Sequence, residues 1–257
     1  MTWAIVFGFQ LKLQNKKKED IMNKYRLFQI FCLLSVIFSQ IASAGTYQGL
    51  WVGQVELNQV NNATSQTNTG TLEPVKHVFD ITVLLHVHEN GTVSLLKEVT
   101  MMQKPIQQDS QDMVQRVLIT DDSLLPEYDG IVRRDGKLVG IRLGSLAYDF
   151  PIGQNQVTLT GSLSPGQTLE CTIVMDENHP TNPFKHLYHP DHQQGRKVTR
   201  QIQFTVDSEQ NSDNPDDASF TLVGEYLESI SGLHKIPLKI SGPFEIHRIS
   251  EVGKLNE

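Results

Sequence analysis

Residues 78–102 read VFDITVLLHVHENGTVSLLKEVTMM, and this stretch decides the fold. Within 78–88 every odd position is apolar: Phe79, Ile81, Val83, Leu85 and Val87. The even positions include Asp80, Thr82, His86 and His88. A period of two marks a strand with one buried face, because successive side chains of an extended chain point to opposite sides. Glu89-Asn90-Gly91 then turns the chain. A two-residue Asn-Gly turn would pair Val83 with Glu98 and Val87 with Ser94, mixing the faces. A three-residue loop pairs Val87 with Val93, Leu85 with Leu95, Ile81 with Val99 and Phe79 with Met101. Only Lys97, opposite Val83, then interrupts the core face. The sequence therefore predicts a three-residue loop with Gly91 in the left-handed conformation.

The same alternation recurs outward from this hairpin. Trp51, Val55 and Leu57 share a phase, as do Leu169, Cys171, Ile173 and Met175. So do Val198, Ile202, Phe204 and Val206, and later Leu238, Ile240, Phe244 and Ile246. Arg133-Arg134-Asp135-Gly136 reads as a second hairpin turn, between 131–132 and 138–143. Residues 156–162 and 168–175 pair through Pro165-Gly166, and 220–227 adds a strand. No stretch after Gly45 has a helical period of useful length. The expectation is an all-β chain of about ten strands, an antiparallel barrel or a two-sheet sandwich. Residues 61–71 and 207–219 are polar and read as exposed loops. The acids of the second lack the spacing of a calcium loop.

The beginning of the chain is an address rather than a fold. Lys24 and Arg26 precede an apolar run, 27–38, and Ala42-Ser43-Ala44 supplies the small residues before a cleavage site. The run is too short to span a bilayer, which takes about 20 residues. Residues 22–44 thus read as a signal peptide cut after Ala44, and the protein as secreted or periplasmic and bacterial. Residues 1–21, before Met22, read as a mis-called extension. Residues 45–257 then form a single all-β domain.

The composition is that of an ordinary globular chain, with 39% hydrophobic residues and a formal charge of −7. Residues 45–257 number 213 and carry 16 basic and 27 acidic residues, a net charge of −11. That balance excludes a nucleic-acid partner, since phosphate backbones need a basic footprint. All nine histidines lie in this part, and Cys171 is its one cysteine. Its strand phase makes Cys171 a small buried core residue rather than a nucleophile.

Candidate chemistry concentrates in 176–192, DENHPTNPFKHLYHPDH. Three prolines exclude a continuous helix, so the segment is a stiffened loop. His179, His186, His189 and His192, with Asp191, are the ligand types that zinc or a similar transition ion takes. The competing role is structural: Phe184, Leu187 and Tyr188 pin the loop to the barrel, with histidines as hydrogen-bonding partners. His86 and His88 are a second metal candidate, because residues two apart on a strand share a face. In the register above they face Ser94 and Thr92 on the polar side, which reads as a solvated surface. His247 reads as surface, and His234 lies in a turn. There is no HExxH, no Gly-x-Ser-x-Gly elbow and no phosphate loop. No residue is assigned a catalytic role, and no cofactor beyond a transition metal is suggested.

Gly49-Leu50-Trp51-Val52-Gly53 resembles the Gly-x-Trp opening of lipocalin-type barrels, and Gly242-Pro243-Phe244-Glu245-Ile246-His247-Arg248 resembles their closing strand with its Arg. A broader match joins GLWVGQVELNQV (49–60), RVLITDDSLLPEYDGIVRRDGKLVG (116–140), HPTNPFKHLYHPDH (179–192) and SISGLHKIPLKISGPF (229–244). This combination resembles an uncharacterised secreted bacterial β domain that also occurs inside large surface proteins. The resemblance implies export and a β fold, and it transfers no activity. Three functions follow as expectations. The first is a non-enzymatic binding or surface-associated module for a cell-surface or small-molecule partner. The second is a metal-dependent, hydrolase-like enzyme centred on 176–192. The third is a carrier of a small apolar ligand inside a barrel.

Overall fold

The computed structural model describes residues 47–63, 70–105, 115–145, 150–182, 196–211, 220–234 and 236–257. They belong to one compact unit, Ala44–Glu257. In chain order the strands are β1 (Gly49–Asn61), β2 (Leu72–Val87), β3 (Val93–Leu96), β4 (Glu98–Gln103), β5 (Arg116–Ile119), β6 (Val132–Arg134), β7 (Lys137–Val139) and β8 (Ile141–Gly144). There follow β9 (Gln156–Gly161), β10 (Thr168–Met175), β11 (Val198–Asn211), β12 (Phe220–Ser231) and β13 (Leu238–Ser250). A 3-10 turn, Asp122–Glu127, follows β5 and is capped by the side chain of Asp121. Among the described residues no helix is long and apolar enough to cross a membrane.

Eight strands close an antiparallel barrel in the order β1-β13-β12-β11-β10-β9-β3-β2. Neighbours in space are neighbours in sequence except at β1 and β13, which close the barrel, and at β3 and β9, where the chain leaves the wall and returns. Closure settles the choice between barrel and sandwich, and it pairs the sheet edges that an open sheet would expose. The excursion between β3 and β9 forms a three-stranded sheet, β5-β4-β8, and the β6–β7 hairpin.

The first hairpin has the expected register, with Val87 opposite Val93 and Leu85 opposite Leu95. Gly91 has φ +81°, and the amide of His88 donates to the carbonyl of Thr92 across the loop. The pairing with β2 stops at Leu95, however, so Ile81 does not meet Val99 and Phe79 does not meet Met101. The cause is the charge that interrupted the pattern. Lys97 would have faced the core opposite Val83; instead the chain bends there and leaves it exposed. Its amide and carbonyl bond Asn155 and Ser145. Beyond the bend, Val99 and Met101 bury themselves in the second sheet.

Two cores result. Inside the barrel, Trp51, Ile81, Leu85, Leu169, Cys171, Ile173 and Ile246 pack around Phe204, Tyr226 and Phe244. The ring of Phe204 stands 5.1 Å from that of Tyr226 and 5.6 Å from that of Phe244, both edge to face. Phe79 shares the inward phase but lies beyond the reach of β3, and it is 56% exposed. The second core lies outside the wall. Leu50, Leu84 and Leu96 point outward from β1, β2 and β3 and are covered by Val99, Met101 and Leu118, with Val252 and Leu255 at the margin. One face of this part of the barrel is therefore not solvent but a protein layer.

Residues 207–211, read as loop, extend β11 instead. A bulge between Val206 and Ser208 restores the pairing, so that Glu209 faces Leu222. The second hairpin turns on Asp135 and Gly136 alone, both at positive φ, with Arg133 and Arg134 in the strand.

Candidate functional site

His86 is the clearest departure from the surface expected of it. It sits on the outward side of β2, yet it is fully buried. Residues 251–257 run across that side of the barrel. The Nε2 of His86 donates to the carbonyl of Val252 at 2.9 Å, and the amide of Glu89 donates to the carbonyl of Gly253. The amide of Asn256 donates to Leu118. The Asn256 side-chain oxygen accepts from the amides of Thr120 and Asp121 at 2.8 and 3.2 Å. This strap and the second sheet make an outward strand position an interior one. With Nε2 as donor, Nδ1 of His86 carries only a lone pair, and it is buried with no hydrogen-bond partner.

His88 lies beside it. The two ring centroids are 4.5 Å apart, edge to face. Its Nε2 meets the hydroxyl of Ser94 at 3.0 Å. Burial pushes the imidazole of His86 down from 6.5 to about 4, with His88 adding a little and the Val252 carbonyl opposing. Burial also lowers His88. Both are neutral at neutral pH.

Of the histidine-rich loop, His179 falls among the described residues. It is buried, with Nε2 donating to the carbonyl of Phe150 at 2.7 Å and Nδ1 meeting the hydroxyl of Thr181 at 2.8 Å. Both ring nitrogens hold the fold together, so ligation would break one of these bonds. His186, His189, Asp191 and His192 lie outside the described residues, as do Phe184, Leu187 and Tyr188. Among the described residues no three His, Cys, Asp or Glu side chains are placed to hold a metal ion. His247 is partly exposed, its Nδ1 on Thr221 and its Nε2 3.3 Å from Glu245. His234 is exposed in the turn before β13.

The barrel interior holds a charge pair that the strand pattern did not flag. Arg200 and Glu228, both buried, form a bidentate ion pair, and the hydroxyl of Tyr226 donates to the same carboxylate at 2.8 Å. The signal was available: Arg200 sits in phase with Val198 and Ile202, and Glu228 in phase with Tyr226 and Ile230. Two opposite charges at inward positions of adjacent strands point to a buried pair. Cys171 is buried as expected, and burial pushes its thiol up to about 12, Glu228 adding and Arg200 opposing. It is an inert thiol.

At the floor of the barrel, Arg248 stacks 4.2 Å from the ring centroid of Phe220 and 6.0 Å from that of Trp51. The indole of Trp51 donates to the carbonyl of Tyr47. The Tyr47 hydroxyl donates to Glu209, and burial and then that carboxylate push it up to about 12.

On the outer wall, β9 and β10 pair only at Gly161–Leu169 and Thr160–Glu170 and then part. A cleft of about 530 Å³ opens there. The hydroxyls of Thr158, Thr160, Thr172 and Ser229 line it, with the amides of Gln201 and Gln203. Glu170 accepts from Gln203 at 3.0 Å, and Leu227 is an exposed apolar residue of the lining. No known protein family matches the chain, and no characterised protein matches its sequence.

Proposed function

We propose that this chain is an exported, non-enzymatic binding module that takes its partner on the outer wall of the barrel. The observation that carries this is the cleft where β9 and β10 part. Its volume of about 530 Å³ lies in the range of ligand sites, about 300–1,000 Å³. Beside Cys171, Ile202 and Leu227, its lining is hydroxyl and amide with one acid and no cation, and the hydroxyls and amides both donate and accept. Such a surface matches a neutral polyhydroxyl partner, and a cell-surface oligosaccharide is the reading preferred here. Leu227 offers an apolar contact for the carbon face of a sugar.

The interior supports the outer wall over carriage within the barrel. Trp51, Phe204, Tyr226 and Phe244 fill the lumen, and its two charges neutralise each other. The signal-peptide pattern of 22–44 supports export, and the Trp51–Arg248 arrangement supports a lipocalin-like barrel. The inert Cys171 and the committed nitrogens of His179 favour binding over catalysis. The test is a screen of the protein against immobilised oligosaccharides. Binding lost in a Gln201→Ala/Thr172→Ala variant with an unchanged melting temperature supports the reading. Binding that survives this variant, or no binding to any oligosaccharide, overturns it.

A further inference from the structure

His86 and His88 stand two residues apart on β2, with rings 4.5 Å apart. Each is anchored through Nε2, His86 on the Val252 carbonyl and His88 on the Ser94 hydroxyl. Nδ1 of His86 is a buried lone pair without a partner. Native structures leave few buried polar atoms unpaired, and each such atom needs a physical reason, of which a bound ion is one. A cleft of about 400 Å³ borders His88, between the β2–β3 turn and residues 253–257. Glu89, Lys254 and Glu257 are its charged lining, a net negative surround.

We propose that His86 and His88 bind one divalent transition ion of the zinc or copper kind through their Nδ1 atoms, entered from this cleft. Imidazole is the ligand such ions favour. In metal-binding histidines the nitrogen away from the ion is held by a carbonyl or similar group, which fixes the tautomer. His86 is held that way by the Val252 carbonyl, and His88 meets a hydroxyl that can accept its Nε2–H. Two nitrogens each about 2.0–2.1 Å from one ion stand about 3–4 Å apart, a spacing that rings at this separation can present. Burial keeps both imidazoles neutral, as ligation requires. No third side chain of ligand type joins them among the described residues, so the protein's share of the site is these two imidazoles. This site does not depend on the outer-wall reading.

The experiment uses the full chain without an affinity tag, stripped with chelator and titrated calorimetrically with zinc(II) and copper(II). The controls are His88→Ala, which removes a partly exposed ring, and His186→Ala/His189→Ala, which disables the histidine-rich loop. One ion per chain, weakened about tenfold or more in His88→Ala and unchanged in the double variant, supports the proposal. Nitrogen hyperfine structure from two imidazoles in the copper spectrum is the second expected signature. No binding, binding indifferent to His88→Ala, or binding lost in His186→Ala/His189→Ala overturns it. A His88→Gln variant checks that any loss follows from the ligand atom, since it must lose the ion while keeping the same melting temperature.

Discussion

His86 donates to the carbonyl of Val252 at 2.9 Å, joining β2 to a segment 166 residues later in the chain. The bond lies where the C-terminal strap covers the outward face of the barrel, and it makes a buried imidazole part of that covering.

The first prediction concerns acid. In the metal-free protein, burial pushes the imidazole of His86 down to about 4, from its ordinary 6.5. Between these values the unfolded chain binds the proton and the folded chain does not. Stability is therefore fully present above pH 6.5 and is lost as pH falls through about 4. The integrated loss is about 3 kcal/mol. Urea midpoints of the wild type and His86→Gln, compared from pH 7.5 to 4, isolate this from the carboxylates. A difference between the two that stays constant across the range would refute it.

A second prediction concerns the interior pair. Removing one partner strands the other charge in the buried interior, which costs about 3–5 kcal/mol. Glu228→Leu and Arg200→Met should each lose that much. The double variant should be more stable than either single one, because no charge remains unpaired. Denaturant unfolding of the three variants decides it. Additive losses in the double variant would mean that the charges act separately.

The strap yields a third. Asn256 has φ +65° and accepts two backbone amides through its side chain. Asn256→Ala loses both bonds and places a Cβ-bearing residue in the left-handed region without the amide that eases it. The expected cost is about 1–3 kcal/mol. Asn256→Gly removes the backbone penalty only, and should recover part of the loss. Amide exchange at Asn256, whose N–H bonds Leu118, should rise in both variants if the strap loosens locally. Unchanged exchange in Asn256→Ala would show that the side chain does not hold it.

The strand pattern made most of the barrel legible. Alternation in Leu169–Met175 and Val198–Val206 names the inward faces because a pleated strand leaves no freedom about which side a residue takes. Gly91 could be placed because the register that keeps one face apolar admits only one loop length. Where the pattern weakened, the extrapolation failed. Lys97 was the one charge on the core face, and the chain turned away there rather than bury it. Arg200 interrupted its strand in the same manner but stayed, because Glu228 on β12 was there to neutralise it. One rule gave both outcomes, and the partner across the sheet made the difference.

The sequence by itself determined most of the barrel strands, their inward faces and the buried Cys171, since these follow from local geometry and a period of two. Only the tertiary structure decided what lies against the outward faces. In β2 phase His86 lies between Leu84 and His88, with Asp80 and Thr82 further back, and alternation alone makes it a surface residue. It becomes buried because residues 251–257 and the β5-β4-β8 sheet are folded over it, and that contact depends on segments far away in the chain. Burial is a property of the assembled layers, whereas strand phase is a property of the backbone.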